Sequence, residues 1–303
     1  MLVRLKTAVI LHRNTVFPDM QLIETKRELQ HLLQEWRTDR ERIALVPTMG
    51  NLHAGHTSLV DVARKHAERV VVTVFVNPTQ FGEDEDFESY PRSLDQDTRR
   101  LKKPRADILF APSVDTVYPF GVDQATLVTV PRLTENFCGS FRPGHFDGVT
   151  TVVARLFALV QPDIAVFGQK DFQQQLVIRR MVDDLNLPIS ILTAPTVRED
   201  DGLAMSSRNS YLTDEERAIA PELHGALSFA ADELQRGQSN FEELQTATSD
   251  ALLAAGLNPE YVAIRRALDL SPPHQNRIRQ KLVILAAAHL GRARLIDNIV
   301  VTT

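Results

Sequence analysis

IALVPTMGNLHAGHTSLVDVARKHAERVVVTVFV, residues 43–76, is the stretch on which the fold turns. Residues 43–46 form a short apolar run. A polar loop with two histidines and two glycines follows, and a helical pattern starts near Thr57 with Leu59, Val62, Ala63 and Ala67 on one face. The run VVVTVFV at 70–76 is β-branched or apolar at nearly every position. Unbroken apolarity suits a parallel strand buried on both faces, because a half-exposed strand would alternate.

The same alternation continues outward. The pattern predicts a helix over 93–103, a strand over 107–110, a helix over 149–160, a strand over 164–167, a helix over 172–184 and a strand over 189–192. Helices alternating with short apolar strands predict an α/β fold, a Rossmann-like parallel sheet flanked by helices. Ligands in such sheets bind at the carboxyl ends of the strands. The histidine loop, NPTQF at 77–81 and GQKD at 168–171 all fall at such ends.

Past residue 197 the character changes to a smaller C-terminal α+β domain. Thr213 with Glu216 and Ser239 with Glu242 read as capping boxes, and Pro221 breaks a helical stretch. Leu223, Ala226, Leu227, Ala230 and Leu234 line one helical face. Strands are expected over 261–266, 282–287 and 293–300, with Gly291 in the last turn. The expected organisation is therefore a weakly ordered extension at 1–19, a Rossmann-like domain at 20–196 and a lid domain at 197–303.

Composition narrows the class. The 303-residue chain is 43% hydrophobic and 24% charged, as in ordinary globular proteins, and its net charge of −5 offers no basic surface for nucleic acid. Cys138 is the only cysteine, which excludes an intrachain disulfide and a cysteine-rich zinc site. A reducing, cytoplasmic setting is the simplest reading. No run approaches the ~18 apolar residues of a membrane span.

The histidine loop admits several chemistries. A helix N-terminus presents unpaired N–H groups and partial positive charge, which favour phosphate. Gly50 and Gly55 would let the backbone approach a nucleotide, and His53 and His56 could donate to phosphate oxygens or offset charge as imidazolium. Zinc would need further ligands, and none is evident nearby. Turn and capping chemistry alone would also account for H-x-x-H.

PTMGNLHAGH at 47–56 resembles the signature loop of the pantoate–β-alanine ligases. Its HAGH is a variant of the HIGH motif of the wider nucleotidylyltransferase and class I synthetase superfamily. FVNPTQF at 75–81, YPRSLDQD at 90–97, RPGHFDGVTTVV at 142–153, FGQKDFQQ at 167–174, TVREDDGLAMSSRNSYL at 196–212 and RLIDNI at 294–299 are similar to that family's blocks, in its order. The resemblance runs from about Met20 to the end of the chain.

What the resemblance implies is a two-step ligation of pantoate with β-alanine, driven by ATP through a pantoyl adenylate, in a cytoplasmic homodimer with Mg²⁺. It assigns His56, His53 and Lys170 to catalysis. Met49, Gly50, Asn51, Leu52, His53, Ala54, Gly55 and His56 would form one side of the ATP pocket. Gly168, Gln169, Lys170, Asp171, Val197, Met205, Ser206, Ser207 and Arg208 would form the rest. Gln80 and Gln174 fall to pantoate, Gln80 also to β-alanine, and Asp97 to the metal. Arg142 and His145 are lid or phosphate residues in this reading. Gln169 departs from the Glu of many members, with little effect expected. Asp171 has a plainer alternative as helix N-cap, with Gln174 closing a capping box. The acidic run GEDEDFE at 82–88 reads as a solvated loop.

Two rivals stand beside this reading. Another nucleotidylyltransferase of the superfamily would share HAGH and the Ser-Ser-Arg element, but has no reason to carry Gln80 and Gln174 in these settings. A non-catalytic nucleotide-binding relative would be free to lose His53, His56, Lys170 and Arg208, yet all four are present. The short chain and acidic balance disfavour an aminoacyl-tRNA synthetase.

Overall fold

A computed structural model describes residues 20–82, 85, 87–274 and 279–303 of the chain. The expected extension at 1–19 lies outside the described residues. The first half runs β1 (Gln21–Ile23), α1 (Lys26–Thr38), β2 (Ile43–Thr48), α2 (Ala54–Arg64), β3 (Arg69–Val74), α3 (Leu94–Lys102), β4 (Ile108–Phe110), two short helices α4 (Val114–Val117) and α5 (Cys138–Phe141), then α6 (His145–Val160), β5 (Ile164–Gly168), α7 (Phe172–Asp184) and β6 (Ser190–Ala194). The six strands form one parallel sheet in the order β1-β4-β3-β2-β5-β6.

Period-two alternation builds a core on each face of this sheet. Ile43 and Leu45 of β2 pack with Leu29, Leu33 and Trp36 of α1 and with the apolar sides of α6 and α7. Ala44 and Val46 face the other way, onto Leu59, Val60 and Ala63 of α2 and Leu101 of α3. Val70, Val71 and Val72 of β3 are buried whichever way they point, as the unbroken apolar run predicts. Two helices begin earlier than the periodicity suggests. α2 starts at Ala54 because His53 caps it, and α6 starts at His145, where polar and glycine residues hide the periodic signal.

The second half contains α8 (Asp214–Ile219), α9 (Glu222–Gln235), α10 (Phe241–Ala254) and an antiparallel sheet of β7 (Asn258–Arg266), β8 (Lys281–Leu290) and β9 (Ala293–Thr302) in that order. Thr213 and Glu216 form the expected reciprocal cap, and Pro221 stands between α8 and α9. The cap of α10 is Asn240, not Ser239: its Oδ1 accepts the Glu243 N–H at 3.2 Å. Leu223, Leu227, Ala230 and Leu234 of α9 pack on Ile284, Ala286 and Leu295. The opposite face of this sheet meets the first half, where the Tyr261 hydroxyl lies 3.1 Å from Cys138 Sγ. No helix among the described residues is long and apolar enough to cross a membrane.

Strand order decides where a ligand fits. From β2 the chain winds to β3 and β4 on one side, then crosses to β5 and β6 on the other. The loops after β2 and β5 therefore diverge, and a crevice opens between them at the carboxyl end of the sheet. The histidine loop and GQKD are those two loops.

Candidate active site

A cleft of about 240 Å³ occupies this crevice. It is lined by Met49, His53, Gly55 and His56 from the first loop, Gly168, Lys170 and Asp171 from the second, and Val197, Met205, Ser206, Ser207 and Arg208 from the C-terminal half, with Gln80 and Gln174 beside them. Gly50, Asn51, Leu52, Ala54 and Gln169 do not line it. Leu52 is a core residue at 0% exposure, and Gln169 turns to Asn298.

The loop after β2 is held from beneath. Asp97 of α3 is fully buried, and its Oδ2 and Oδ1 accept the N–H groups of Asn51 (3.0 Å) and Leu52 (2.7 Å). Burial keeps its carboxyl above the usual range, against the lowering by those two N–H bonds. The acidic position is thus spent on the loop backbone and is absent from the cleft lining. Gly50 has φ +90°, and a Cβ there would meet Val74 and Asp97, so its glycine serves the turn and not ligand approach.

The two histidines cap α2 and each other. The His53 N–H donates to His56 Nδ1 at 3.2 Å, and the Gly55 N–H donates to His53 Nδ1 at 3.1 Å. A Cβ on Gly55 would collide with the His53 ring, so the cap requires glycine at that position. With Nδ1 accepting in both rings, the proton of each neutral imidazole sits on Nε2. Burial, then Lys170 and Arg100, pushes His53 down to about 4. Burial, then the neighbouring His53 and Lys170, pushes His56 down to about 3. At neutral pH these rings are therefore neutral Nε2–H donors, not imidazolium ions.

A direct check is nitrogen NMR of the two imidazoles. Both should show the Nε2–H tautomer and no titration between about pH 5 and 8; a midpoint near the ordinary histidine value of 6.5 would contradict the arrangement. The linkage has a definite sign. The unfolded chain takes up protons at these rings below 6.5 while the folded chain resists, so stability present above that pH is lost as pH falls toward 4 and 3.

Gln80 lines the cleft. It lies in a single 3₁₀ turn, Pro78–Gln80, whose hub is the buried Asn77. Asn77 Oδ1 accepts from the Tyr118 hydroxyl (2.7 Å), and its amide donates to the Gly148 carbonyl and to Gln80 Oε1, both at 3.2 Å. A second brace runs from the Glu85–Arg142 ion pair (2.6 Å) through the Arg142–His145 contact (2.9 Å) to His145 Nδ1, which lies 2.8 Å from the Gln80 carbonyl. Glu85 therefore belongs to an ion pair and not to a solvated loop. Glu83, Asp84 and Asp86 of the same run lie outside the described residues. Burial, with Arg142 beside it, lowers His145 to about 4, so this ring also braces in its neutral form.

Helix α6 lies directly on the Gln80 turn. A Cβ at Gly148 would sit on the Thr79 carbonyl and 2.7 Å from Gln80 Cα. Gly148→Ala should therefore lever the turn away from the cleft. The expected result is about 1–3 kcal/mol of lost stability from overpacking. Thermal melts check this, and an unchanged melting point would show that the turn is not so constrained.

The second loop offers charge. Lys170 and Asp171 lie in a 3₁₀ turn before α7, and Asp171 makes no side-chain capping bond, so the capping-box alternative with Gln174 fails. No carboxylate among the described residues is ion-paired with Lys170. From the C-terminal half, Ser207 Oγ donates to the Asn51 carbonyl at 3.0 Å, and the Arg208 guanidinium lies 5.9 Å from the Tyr90 ring centre. Val197 is placed by its carbonyl, which accepts the Met205 N–H at 3.0 Å. The loop thus bridges onto the histidine loop across the cleft.

Sequence reasoning missed the apolar wall. Val149, Val152, Val153 and Leu156 of α6 line the cleft with Phe75, Phe81 and Tyr90. Their i, i+3, i+4, i+7 spacing is also what a core-facing helix shows, so no sequence signal separates the two uses.

Comparison with known proteins agrees with this geometry. The family model described as pantoate-beta-alanine ligase matches residues 21–300. A pantothenate synthetase of Methylococcus capsulatus is 51% identical over 283 residues, covering 93% of this chain and 98% of its own. One of Thioalkalivibrio sulfidiphilus is 55% identical over 280 residues, covering 92% and 97%. Among solved structures, the Thermus thermophilus enzyme superposes with a TM-score of 0.86 at 46% identity, covering 92% of this chain and 99% of that one. The Francisella tularensis enzyme, complexed with beta-gamma ATP and beta-alanine, gives a TM-score of 0.75 at 31% identity, covering 92% and 97%. With a matching model across nearly its whole length and relatives at half identity, the chain belongs to the pantoate–β-alanine ligases.

Proposed function

We propose that both half-reactions of ATP-dependent pantoate–β-alanine ligation run in this single cleft, with the residues described above in separate roles. In the first, a pantoate carboxylate oxygen attacks the α-phosphorus of ATP, and the bond to the bridging oxygen breaks with release of pyrophosphate. In the second, the β-alanine amine attacks the acyl carbon of the adenylate. AMP leaves with the C–O electron pair, the amine loses a proton, and pantothenate remains. A carboxylate is a poor acyl donor and its anhydride with AMP a good one, so no enzyme nucleophile is needed. Catalysis is left to positioning and charge stabilisation.

The observation that carries this reading is the composition of the cleft lining. It brings together His53, His56, Lys170, two serines and Arg208, a set suited to phosphates. The same lining includes the amides of Gln80 and Gln174 and the apolar stripe of α6, which matches a small acid with hydroxyls and a dimethyl carbon. A sibling transferase would not need that second set. The Francisella complex with beta-gamma ATP and beta-alanine supports the same two ligands here. In this reading Gln80 lies near the amine.

Mg²⁺ fits as an ion carried by the ATP phosphates and water. Among the described residues no cluster of three or more His, Cys, Asp or Glu could hold it, and both Asp97 oxygens are engaged by the backbone. Its charge would help neutralise the phosphates. A homodimeric, cytoplasmic enzyme follows from the family resemblance.

Gln80→Ala tests the placement of pantoate. Its pantoate KM should rise roughly tenfold, the size of one neutral hydrogen bond, with the ATP KM little changed. The reverse pattern would put Gln80 on the nucleotide.

A further inference from the structure

Two consecutive residues of β9 that do not line the cleft hold the segments that bring cations to it. Asp297 and Asn298 are 4% and 2% exposed, and as neighbours on a strand they face opposite ways. Asp297 lies on the α9 side. It receives a two-pronged pair from Arg198, Nη1 at 2.6 Å and Nη2 at 3.0 Å, and Arg198 Nη1 also donates to the Gly202 carbonyl at 3.0 Å. That set braces the hairpin from which Met205 to Arg208 emerge. Burial opposes ionisation of Asp297, but His224, 3.6 Å away, and the Arg198 pair hold its carboxyl below the usual range.

Asn298 faces the first half of the molecule. Its Nδ2 donates to the carbonyls of Gln169 (2.8 Å) and Lys170 (2.9 Å). These carbonyls belong to the two peptide groups that flank the Lys170 Cα. Peptide planes are rigid, so anchoring both fixes the only two soft backbone angles of Lys170 and with them the direction of its side chain. Asn298 is itself anchored, because its N–H donates to Asp297 Oδ1 at 2.7 Å. One strand therefore sets the Lys170 turn with one residue and the Ser206–Ser207–Arg208 loop with the residue before it.

We propose that Asn298 is a positioning residue for adenylate formation, acting through Lys170, with Asp297 as its anchor and as the brace of the opposing loop. The proposal rests on the assignment of Lys170 to the ATP phosphates.

A double-mutant cycle on the full-length enzyme separates this role from simple joining of the two halves. Asn298→Ala should slow pyrophosphate release from Mg-ATP and pantoate by on the order of 10²-fold, the usual effect of an ångström of misplacement, with the pantoate KM unchanged. In the Lys170→Ala background the same substitution should change the rate by less than about twofold, since the group it positions is gone. An equal loss in both backgrounds, or an unimpaired Asn298→Ala enzyme, overturns the proposal. An unimpaired Lys170→Ala enzyme removes the underlying assignment, and the proposal with it. Should Asn298→Ala not fold, Asn298→Asp, which keeps the shape but loses the donor, is read in the same cycle.

Discussion

His56→Ala should release pyrophosphate from Mg-ATP and pantoate on the order of 10²–10³ times more slowly than the parent chain, the cost of one preorganised donor to developing charge. The reason lies in how the ring is held. Its Nδ1 is taken by the His53 N–H, so Nε2–H is the one donor it offers the cleft. That donor needs no reorganisation when negative charge moves onto the departing pyrophosphate. The same substitution also removes half of the mutual cap of α2. A single cap is worth about 1 kcal/mol, so the protein should still fold, with a melting point a few degrees lower. Asparagine at position 56 could restore an acceptor to the His53 N–H. It should then recover stability without recovering rate, which separates the two duties of the residue. A His56→Ala enzyme with near-normal pyrophosphate release would remove His56 from the chemistry.

Asp97→Ala is expected to do the larger structural damage and to act on ATP without touching it. Each carboxylate oxygen accepts one backbone N–H, and both lose that partner in the variant, the Leu52 N–H in the core and the Asn51 N–H at its edge. Hydrogen bonds to a charged group are worth about 1.5–3 kcal/mol each, so a loss on the order of 3 kcal/mol is expected after local relaxation. The loop from Met49 to His53 then loses its floor, and the ATP KM should rise at least tenfold while the pantoate KM moves far less. Magnesium titrations distinguish this role from direct ligation. If Asp97 held the ion, raising Mg²⁺ would restore much of the lost rate and stability would hardly change. If it holds the loop, no Mg²⁺ concentration rescues the variant.

Most of the fold was legible because its signals are repetitive. An apolar run such as residues 70–76 has few homes other than the centre of a parallel sheet, and helices and strands of ordinary length alternate around it. Three strand-end loops with polar residues could then be placed on one rim from the sequence, and they do meet there. What remained illegible concerns side chains whose chemistry fits two places. Asp97 looks like a metal ligand in a sequence and is a backbone brace in the structure, since burial and two N–H partners are properties of the packing. The Val149–Val152–Val153–Leu156 stripe reads as core and is buried in it, and its share in the cleft lining comes from packing that the same spacing does not encode. Glu85 sat in an acidic run that suggested solvent, and only the fold brings Arg142 to it from 57 positions away. His53 and His56 could be set at a strand end from the sequence, but their neutral state follows from Nδ1 bonds and burial that no spacing encodes.

The most direct test is pyrophosphate release by the purified chain with Mg-ATP and pantoate, followed with and without β-alanine. Pantoate alone should give a limited release, close to one pyrophosphate per enzyme, as the adenylate forms and is held. Addition of β-alanine should then give continuous turnover to AMP and pantothenate. Folded protein that binds ATP yet releases no pyrophosphate with pantoate, or releases it only when β-alanine is already present, would contradict a two-step reaction through an enzyme-bound adenylate in this cleft.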